Sequence, residues 1–375
     1  MARKECYLYV QTIPMLLRLN LSDLCESGSS AEFEIAHNYS TSDDRVPIGM
    51  ACLVVGSKIY MVGGEKSRDG RMVLFYPEEE NWFNTTDVYV FDHTKSESED
   101  RLVPVRDGDG AALGRLNGPK SRPIVVTLEG KFYVLSTRPF LGSLSEDTTP
   151  VFEVFDPTLP TPSWKVLPRQ PNFPVLDYFA WGHKLLTMLA PTRPGFFIFD
   201  TEEEKWAEDW DFIEQFTDKY RPTSTPVPNG PAVEFKGVVF AVSMDINALV
   251  AYDLDASGMK LNAHWVLDEL SEVFEGPPSL FLGRGFLTDL GGGRMCVLFS
   301  GDDKDNNLIV RVEVFRVDIT TVGDRPVVHR EILRSFKLPS WNGYSPVIDS
   351  VFMCDHSNQS NIEADANSGL YSCED

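Results

Sequence analysis

The chain has 375 residues, 42% hydrophobic and 11% aromatic, enough apolar material to bury one large β domain or two smaller ones, which excludes a disordered or collagen-like chain. Its formal net charge of −22 repels a phosphate backbone and excludes nucleic acid as the main partner. No stretch approaches the roughly 18 apolar residues of a membrane span, and residues 1–20, broken by Pro14 and Arg18, lack a signal-type apolar core, so no membrane is expected as a partner.

In chain order, Glu5–Val10, Met15–Leu21 and Glu32–Ala36 read as three short strands that lack a first. From Met50 one pattern recurs: an apolar strand, a Gly turn, a second apolar strand, an interruption, then an aliphatic-aromatic strand closing on Asp. The first copy runs Ala51–Val55, Gly56-Ser57-Lys58, Ile59–Val62 into Gly63-Gly64, and resumes as Asp87–Asp92. The second is Pro123–Leu128, Glu129-Gly130-Lys131, Phe132–Leu135 and Val151–Asp156. The third starts at Val175, turns at Gly182-His183-Lys184 and closes with Phe196–Asp200; the fourth turns at Lys236-Gly237 and closes with Leu249–Asp253. The fifth, Phe281–Leu290, turns at Gly291-Gly292-Gly293 and closes with Val312–Asp318. Trp164, Trp206 and Trp265 follow the closing Asp in three copies, each expected to open a fourth strand. Four short, turn-bounded strands per unit is the grammar of a propeller blade.

Pro346–Met353 reads as one strand without partners, and joining it to the three N-terminal strands completes a sixth blade with no exposed edge between the chain ends. The expected fold is all-β, a six-bladed β-propeller over residues 1–355 closed by strands from both termini, with blade 1 shared by residues 5–37 and 345–354. Residues 356–375 read as a disordered polar tail.

The Gly63-Gly64 pair after an apolar strand, the aromatic-Asp ending and the following Trp resemble the kelch repeat. Over roughly residues 5 to 354 the chain is similar to plant kelch-repeat proteins, including the propeller part of F-box/kelch proteins. Only one copy keeps the double Gly, others carrying Leu135-Ser136 or Leu189-Ala190, and no F-box precedes the propeller. The resemblance implies a kelch-type propeller that binds protein partners, with a substrate-recognition role in a ubiquitin ligase as an alternative.

In an up-down blade the connection between strands two and three emerges at the same end as the link to the next blade. The long segments Glu65–Thr86, Arg138–Pro150, Gly301–Asn307, Val103–Lys120, Ala207–Asn229 and Glu269–Pro277 therefore share one end, and loops of this length are commonly functional. Arg68, Arg138 and Arg193 follow strand two in three copies, and their guanidinium forks are suited to a carboxylate or phosphate, such as that of an acidic partner motif. The alternative is pairing with the chain's own surplus carboxylates. Tyr76 and Trp82 are candidate aromatic anchors for that partner, or packing contacts of the insertion. Asp209–Phe216 and Trp265–Phe274 space apolar residues three and four apart, as helices do, the second overlapping a fourth-strand Trp.

Gly291-Gly292-Gly293 lacks the Lys-Ser/Thr and helix of a phosphate loop and reads as a hairpin turn. Asp302–Asn306 and Asp107–Gly110 lack the ligand alternation of a calcium loop, and the six His show no metal-binding spacing. No catalytic residue, metal or cofactor is expected, and the closing Asp residues are expected to accept backbone N–H bonds in their turns. Six scattered Cys without CxxC pairs read as free thiols in a reducing compartment, cytoplasm or nucleus. The functional expectation is a monomeric protein-interaction module, with a small-molecule enzyme centred on the propeller opening as its rival.

Overall fold

A strand buried on both faces loses the polar alternation of a half-exposed one, and the middle strands of this chain show it. Along Ile59-Tyr60-Met61-Val62, Ile59 and Met61 pack with Tyr9, Leu16 and Met50, while Tyr60 and Val62 pack with Phe132, Val134 and Phe155 on the opposite side. The period of two thus sends alternate apolar side chains to two neighbouring sheets. Val238–Ser243 repeats the arrangement: Val239 and Ala241 join Trp181 and Leu186, whereas Val238, Phe240 and Val242 join Leu287, Met295 and Val297.

The computed structural model describes residues 6–12, 15–24, 31–39, 46–67, 82–95, 101–106, 113–137, 149–170, 175–189, 196–207, 229–243, 246–254, 260–273, 285–302, 307–320, 323–338 and 347–354. The protein is all-β, with its antiparallel strands in a six-bladed β-propeller arrangement. Blade 1 orders Val347–Cys354, Cys6–Thr12, Met15–Asn20 and Glu34–Asn38. Blade 2 is Ala51–Val55, Lys58–Val62, Val88–Asp92 and Leu102–Pro104, and blade 3 is Ile124–Leu128, Lys131–Leu135, Phe152–Phe155 and Trp164–Val166. Blade 4 (Val175–Trp181, Lys184–Leu189, Phe196–Asp200, Lys205–Ala207) and blade 5 (Asn229–Phe235, Val238–Ser243, Ala248–Leu254, Leu261–Val266) join through a parallel pairing at Phe179 and Ala180. Blade 6 is Gly285–Gly291, Arg294–Asp302, Leu308–Asp318 and Val327–Leu338.

The chain divides into two compact units. Met1–Ser22, Phe33–Val175 and Val347–Asn367 form the first, containing blades 1 to 3; Asp23–Glu32, Leu176–Pro346 and Ser368–Asp375 form the second, with nearly all of blades 4 to 6. The expected pairing of the two chain ends is present: Tyr7 faces Met353 and Tyr9 faces Val351 in an antiparallel ladder. Among the described residues no helix is long and apolar enough to cross a membrane.

The repeated aromatic-Asp-turn-Trp sequence has a packing reason. Trp164 lies directly across from Phe155 and Trp206 from Phe199, with ring centroids 5.3 and 5.1 Å apart. The intervening Asp closes the turn, Asp156 accepting from the Thr158 N–H and hydroxyl at 2.9 and 2.6 Å and Asp92 doing the same for Thr94 at 3.1 and 2.6 Å. These bonds hold the Asp156 carboxyl below its ordinary value against a smaller effect of burial.

Three expectations change. Glu65–Thr86 begins and ends as a ribbon of two strands, Glu65–Ser67 pairing with Trp82–Asn84, because backbone pairing continues beyond the blade without apolar alternation to announce it. Trp265 falls inside the strand Leu261–Val266, and a 3-10 helix follows only at Asp268–Val273, burying Leu270 and Val273. Cys6 is disulfide-bonded, whereas Cys52 and Cys296 are buried free thiols, so thiols throughout is incorrect; strand pairing between distant sequence positions gives no local spacing signal.

Trp164 is buried and donates its Nε1–H to Gly114 O at 2.9 Å. Trp164→Ala is expected to lower unfolding free energy by about 3–5 kcal/mol in denaturant titration. Val166→Ala, at a residue 48% exposed, is expected to stay within about 0.5 kcal/mol.

Candidate functional site

The first unit shows which connections share an end of a blade. Gly64 N–H donates to Lys120 O (2.9 Å), Lys120 N–H to Thr85 O (3.1 Å) and Leu116 N–H to Thr86 O (3.3 Å), so the insertion after strand two of blade 2 is laced to the link leaving strand four. Gly63 and Gly64 sit where this lacing is tightest. Both have positive φ, +69° and +89°, and a Cβ would stand 2.9 Å from Lys120 Cβ at Gly63 and 2.7 Å from Ile48 O at Gly64. No other residue type fits both constraints without displacing backbone.

The link is anchored by a buried ion pair. Lys120 and Glu153 are both fully buried, and the ammonium donates to Gly118 O (2.8 Å), Pro150 O (3.0 Å) and Glu153 Oε1. Glu153 also accepts from Gly118 N–H at Oε1 (2.9 Å) and from Asn117 N–H (2.9 Å) and Nδ2–H (2.7 Å) at Oε2. Every ammonium proton and both carboxylate oxygens are thereby used, the condition under which a buried pair is tolerated. Burial pulls the Lys120 pKa down, with the Glu153 charge and hydrogen bond opposing it.

Beside this anchor lies a pocket of about 230 Å³ lined by Asp87, Val88, Pro104, Val105, Arg106 and Arg115. Val105 N–H on Val88 O (2.8 Å) fixes its floor. Asp87 is gripped from two sides, by Lys66 Nζ on Oδ2 (2.7 Å) and Arg115 Nη2 on Oδ1 (3.1 Å). Nη2 also donates to Thr86 Oγ1 at 3.0 Å, while Nε and Nη1 of this half-exposed guanidinium have no hydrogen-bond partner among the described residues. Lys66 additionally donates to Tyr89 OH (3.3 Å) and stands 5.7 Å from that ring's centroid; burial lowers its pKa, but Asp87 and Tyr89 together raise it. The arrangement can receive an anion at the open side of Arg115, with Arg106 lining the same pocket.

Residues 29–212 match the family described as a protein of unknown function, DUF1668. That span contains the pocket and the Lys120–Glu153 pair. No curated protein matches the chain. Among solved structures it is similar to YjhT, with 12% identity over 84% of this chain and 91% of that one at a TM-score of 0.41. It is also similar to the periplasmic gluconolactonase PpgL of Pseudomonas aeruginosa, with 11% identity over 89% and 100% of the two chains at a TM-score of 0.37. These likenesses carry no activity across to this chain.

Arg68, Tyr76, Arg138 and Arg193 lie outside the described residues. Trp82 opens the returning strand of the ribbon, its backbone paired with Ser67. Arg106 and Arg115, which gather at the pocket, sit in the Val103–Lys120 link already placed at this end by topology; its two guanidinium groups were the available signal.

The second unit holds another buried carboxylate. Glu313 is fully buried in the third strand of blade 6, with Arg330 Nε donating to Oε1 and no hydrogen-bond partner for Oε2 among the described residues. Burial pushes its carboxyl up from 4.5 to about 7, with Arg330 opposing and the Glu272 charge adding to the rise. Arg330 also binds Glu272 (2.9 Å) and Glu269 O (2.7 Å), tying the 3-10 helix to the outer strand of blade 6.

Two outcomes follow from these buried charges. Lys120→Met or Glu153→Leu alone is expected to cost about 3–5 kcal/mol by leaving its partner unsatisfied, whereas the two together should cost less than the two single effects summed. Denaturation of the four proteins measures this coupling. Because the folded pKa of Glu313 lies above its unfolded value, the native state keeps a proton that the unfolded state releases, and stability falls as pH rises from about 4.5 to about 7. Glu313→Gln should remove roughly 1–3 kcal/mol of that fall. Parallel pH profiles for the two proteins would contradict the assignment.

Proposed function

We propose that this chain is a monomeric, kelch-type protein-interaction module that receives an acidic segment of a partner protein at the loop end of blade 2. The observation that supports it is the pocket at Arg106 and Arg115, a local concentration of positive charge in a chain of net charge −22. Long-range repulsion disfavours acidic surfaces everywhere else, so a local cationic pocket selects where an acidic segment settles. The laced insertion and link give that pocket a rigid floor, which limits the ordering cost of binding. The kelch-type reading is supported by the Gly63-Gly64 pair and by the Trp rings that pack, tilted, across from the aromatic before the closing Asp. The rival small-molecule enzyme needs clustered Tyr, His and carboxylate groups, and this pocket offers one carboxylate with two guanidinium groups. A cytoplasmic or nuclear setting is part of the proposal, with the free thiols of Cys52 and Cys296 in its favour and the Cys6 disulfide against it.

Fluorescence anisotropy of a labelled glutamate-rich peptide titrated with the intact protein tests this reading. Binding is expected to weaken with salt and to fall roughly tenfold in Arg106→Ala/Arg115→Ala, a loss of about 1–2 kcal/mol suited to half-exposed groups, at an unchanged melting temperature. Absence of binding, or equal binding of a lysine-rich peptide, would contradict it.

A further inference from the structure

The ribbon that leaves blade 2 turns its two faces to different neighbours. Glu65 and Lys66 are consecutive in its first strand, so their side chains leave opposite faces. On one face the buried Glu65 carboxylate accepts from Ser121 Oγ at 2.6 Å, with Arg122 Nε 3.9 Å from the same oxygen. On the other, Lys66 Nζ reaches Asp87 Oδ2 at 2.7 Å, and Asp87 lines the pocket that holds Arg115. Phe83 lies directly across from Lys66 in the ladder. Opposed residues of an antiparallel pair share a face, so Phe83 belongs to the face that Lys66 turns toward the pocket. It is 41% exposed, the one aromatic among the large hydrophobic side chains that the described residues leave in water.

A single exposed apolar side chain is ordinary on a protein surface; this one stands on a fixed support beside a cation. Ile48 and Glu65 exchange backbone hydrogen bonds at 3.0 and 2.9 Å, and Thr85 N–H donates to Gly64 O at 3.0 Å, so both strands of the ribbon are held at their base. The pocket itself is half apolar, with Val88, Pro104 and Val105 beside Asp87, Arg106 and Arg115. Resting on the reading of this end as a receptor for an acidic segment, we propose that it selects a narrower class of partner. That partner is an extended segment carrying an acidic residue and a large aliphatic residue on the same side, the carboxylate at Arg115 and the aliphatic side chain against the Phe83 ring. Alternate residues of an extended chain point the same way, so both groups reach one face together. Charge steers the segment in, and apolar area buried on the ring slows its departure. A purely acidic segment satisfies Arg115 and leaves the ring in water.

The test titrates the intact protein into two labelled glutamate-rich peptides and follows their anisotropy. The peptides differ only in carrying leucine or serine two and four positions to either side of a central glutamate. The leucine peptide is expected to bind roughly fivefold more tightly, and that ratio should persist while added salt weakens both. Phe83→Ser should bring the leucine peptide to the affinity of the serine peptide, with the serine peptide and the melting temperature unaffected. Equal binding of the two peptides by the unmodified protein, or a leucine preference that survives in Phe83→Ser, would overturn the inference and leave the acidic-segment reading standing. Failure of both peptides to bind would remove both.

Discussion

The ion pair between Lys120 and Glu153 is the constraint on which the loop end of the first unit depends. A link between two blades has no ladder of its own, and its backbone polar groups need partners if they are to leave water. Here the Glu153 carboxylate accepts from the N–H groups of Asn117 and Gly118, and the Lys120 ammonium donates to the carbonyls of Gly118 and Pro150. One side-chain pair thereby satisfies much of a chain segment that strand pairing could not. With the link fixed, the backbone of Lys120 is available as a template for Gly64 and Thr85, and the insertion leaves the blade as an ordered ribbon.

The same arrangement explains where charge collects. Holding the link against the ribbon brings Arg115 to Thr86 and Asp87, and Lys66 to the other oxygen of Asp87. Surface ion pairs contribute little to stability in general, but here they hold in place a guanidinium that lines the pocket. Position is inherited from the buried pair; chemistry comes from the exposed one.

Much of this fold was legible in the sequence. Apolar runs such as Ile59–Val62 and Val238–Val242 announced strands buried on both faces, and the Asp turns and Trp positions announced the return of each blade. The composite first blade was legible because Val347–Cys354 had no partner nearby in sequence. Glu153 is the single charge of the strand Phe152–Phe155, but neither Lys120 as its partner nor Arg330 as the partner of Glu313 can be assigned without distances. The ribbon was missed because Glu65-Lys66-Ser67 carries no apolar alternation, and its strand character comes from pairing with Trp82–Asn84 alone. The candidate pocket was half legible: topology selected the end of the blade, but which arginines meet there is a matter of three-dimensional approach.

If the buried pair organises this end of the molecule, the amide protons it anchors should open only with the fold itself. Native-state hydrogen exchange of the intact chain, resolved at Asn117, Gly118, Lys120 and Thr85, measures this directly. The account predicts protection at these four amides comparable to that of the central strand Lys131–Leu135, although all four lie outside the blade strands. Exchange at the rate of an exposed loop, with Lys131–Leu135 still protected, would contradict it.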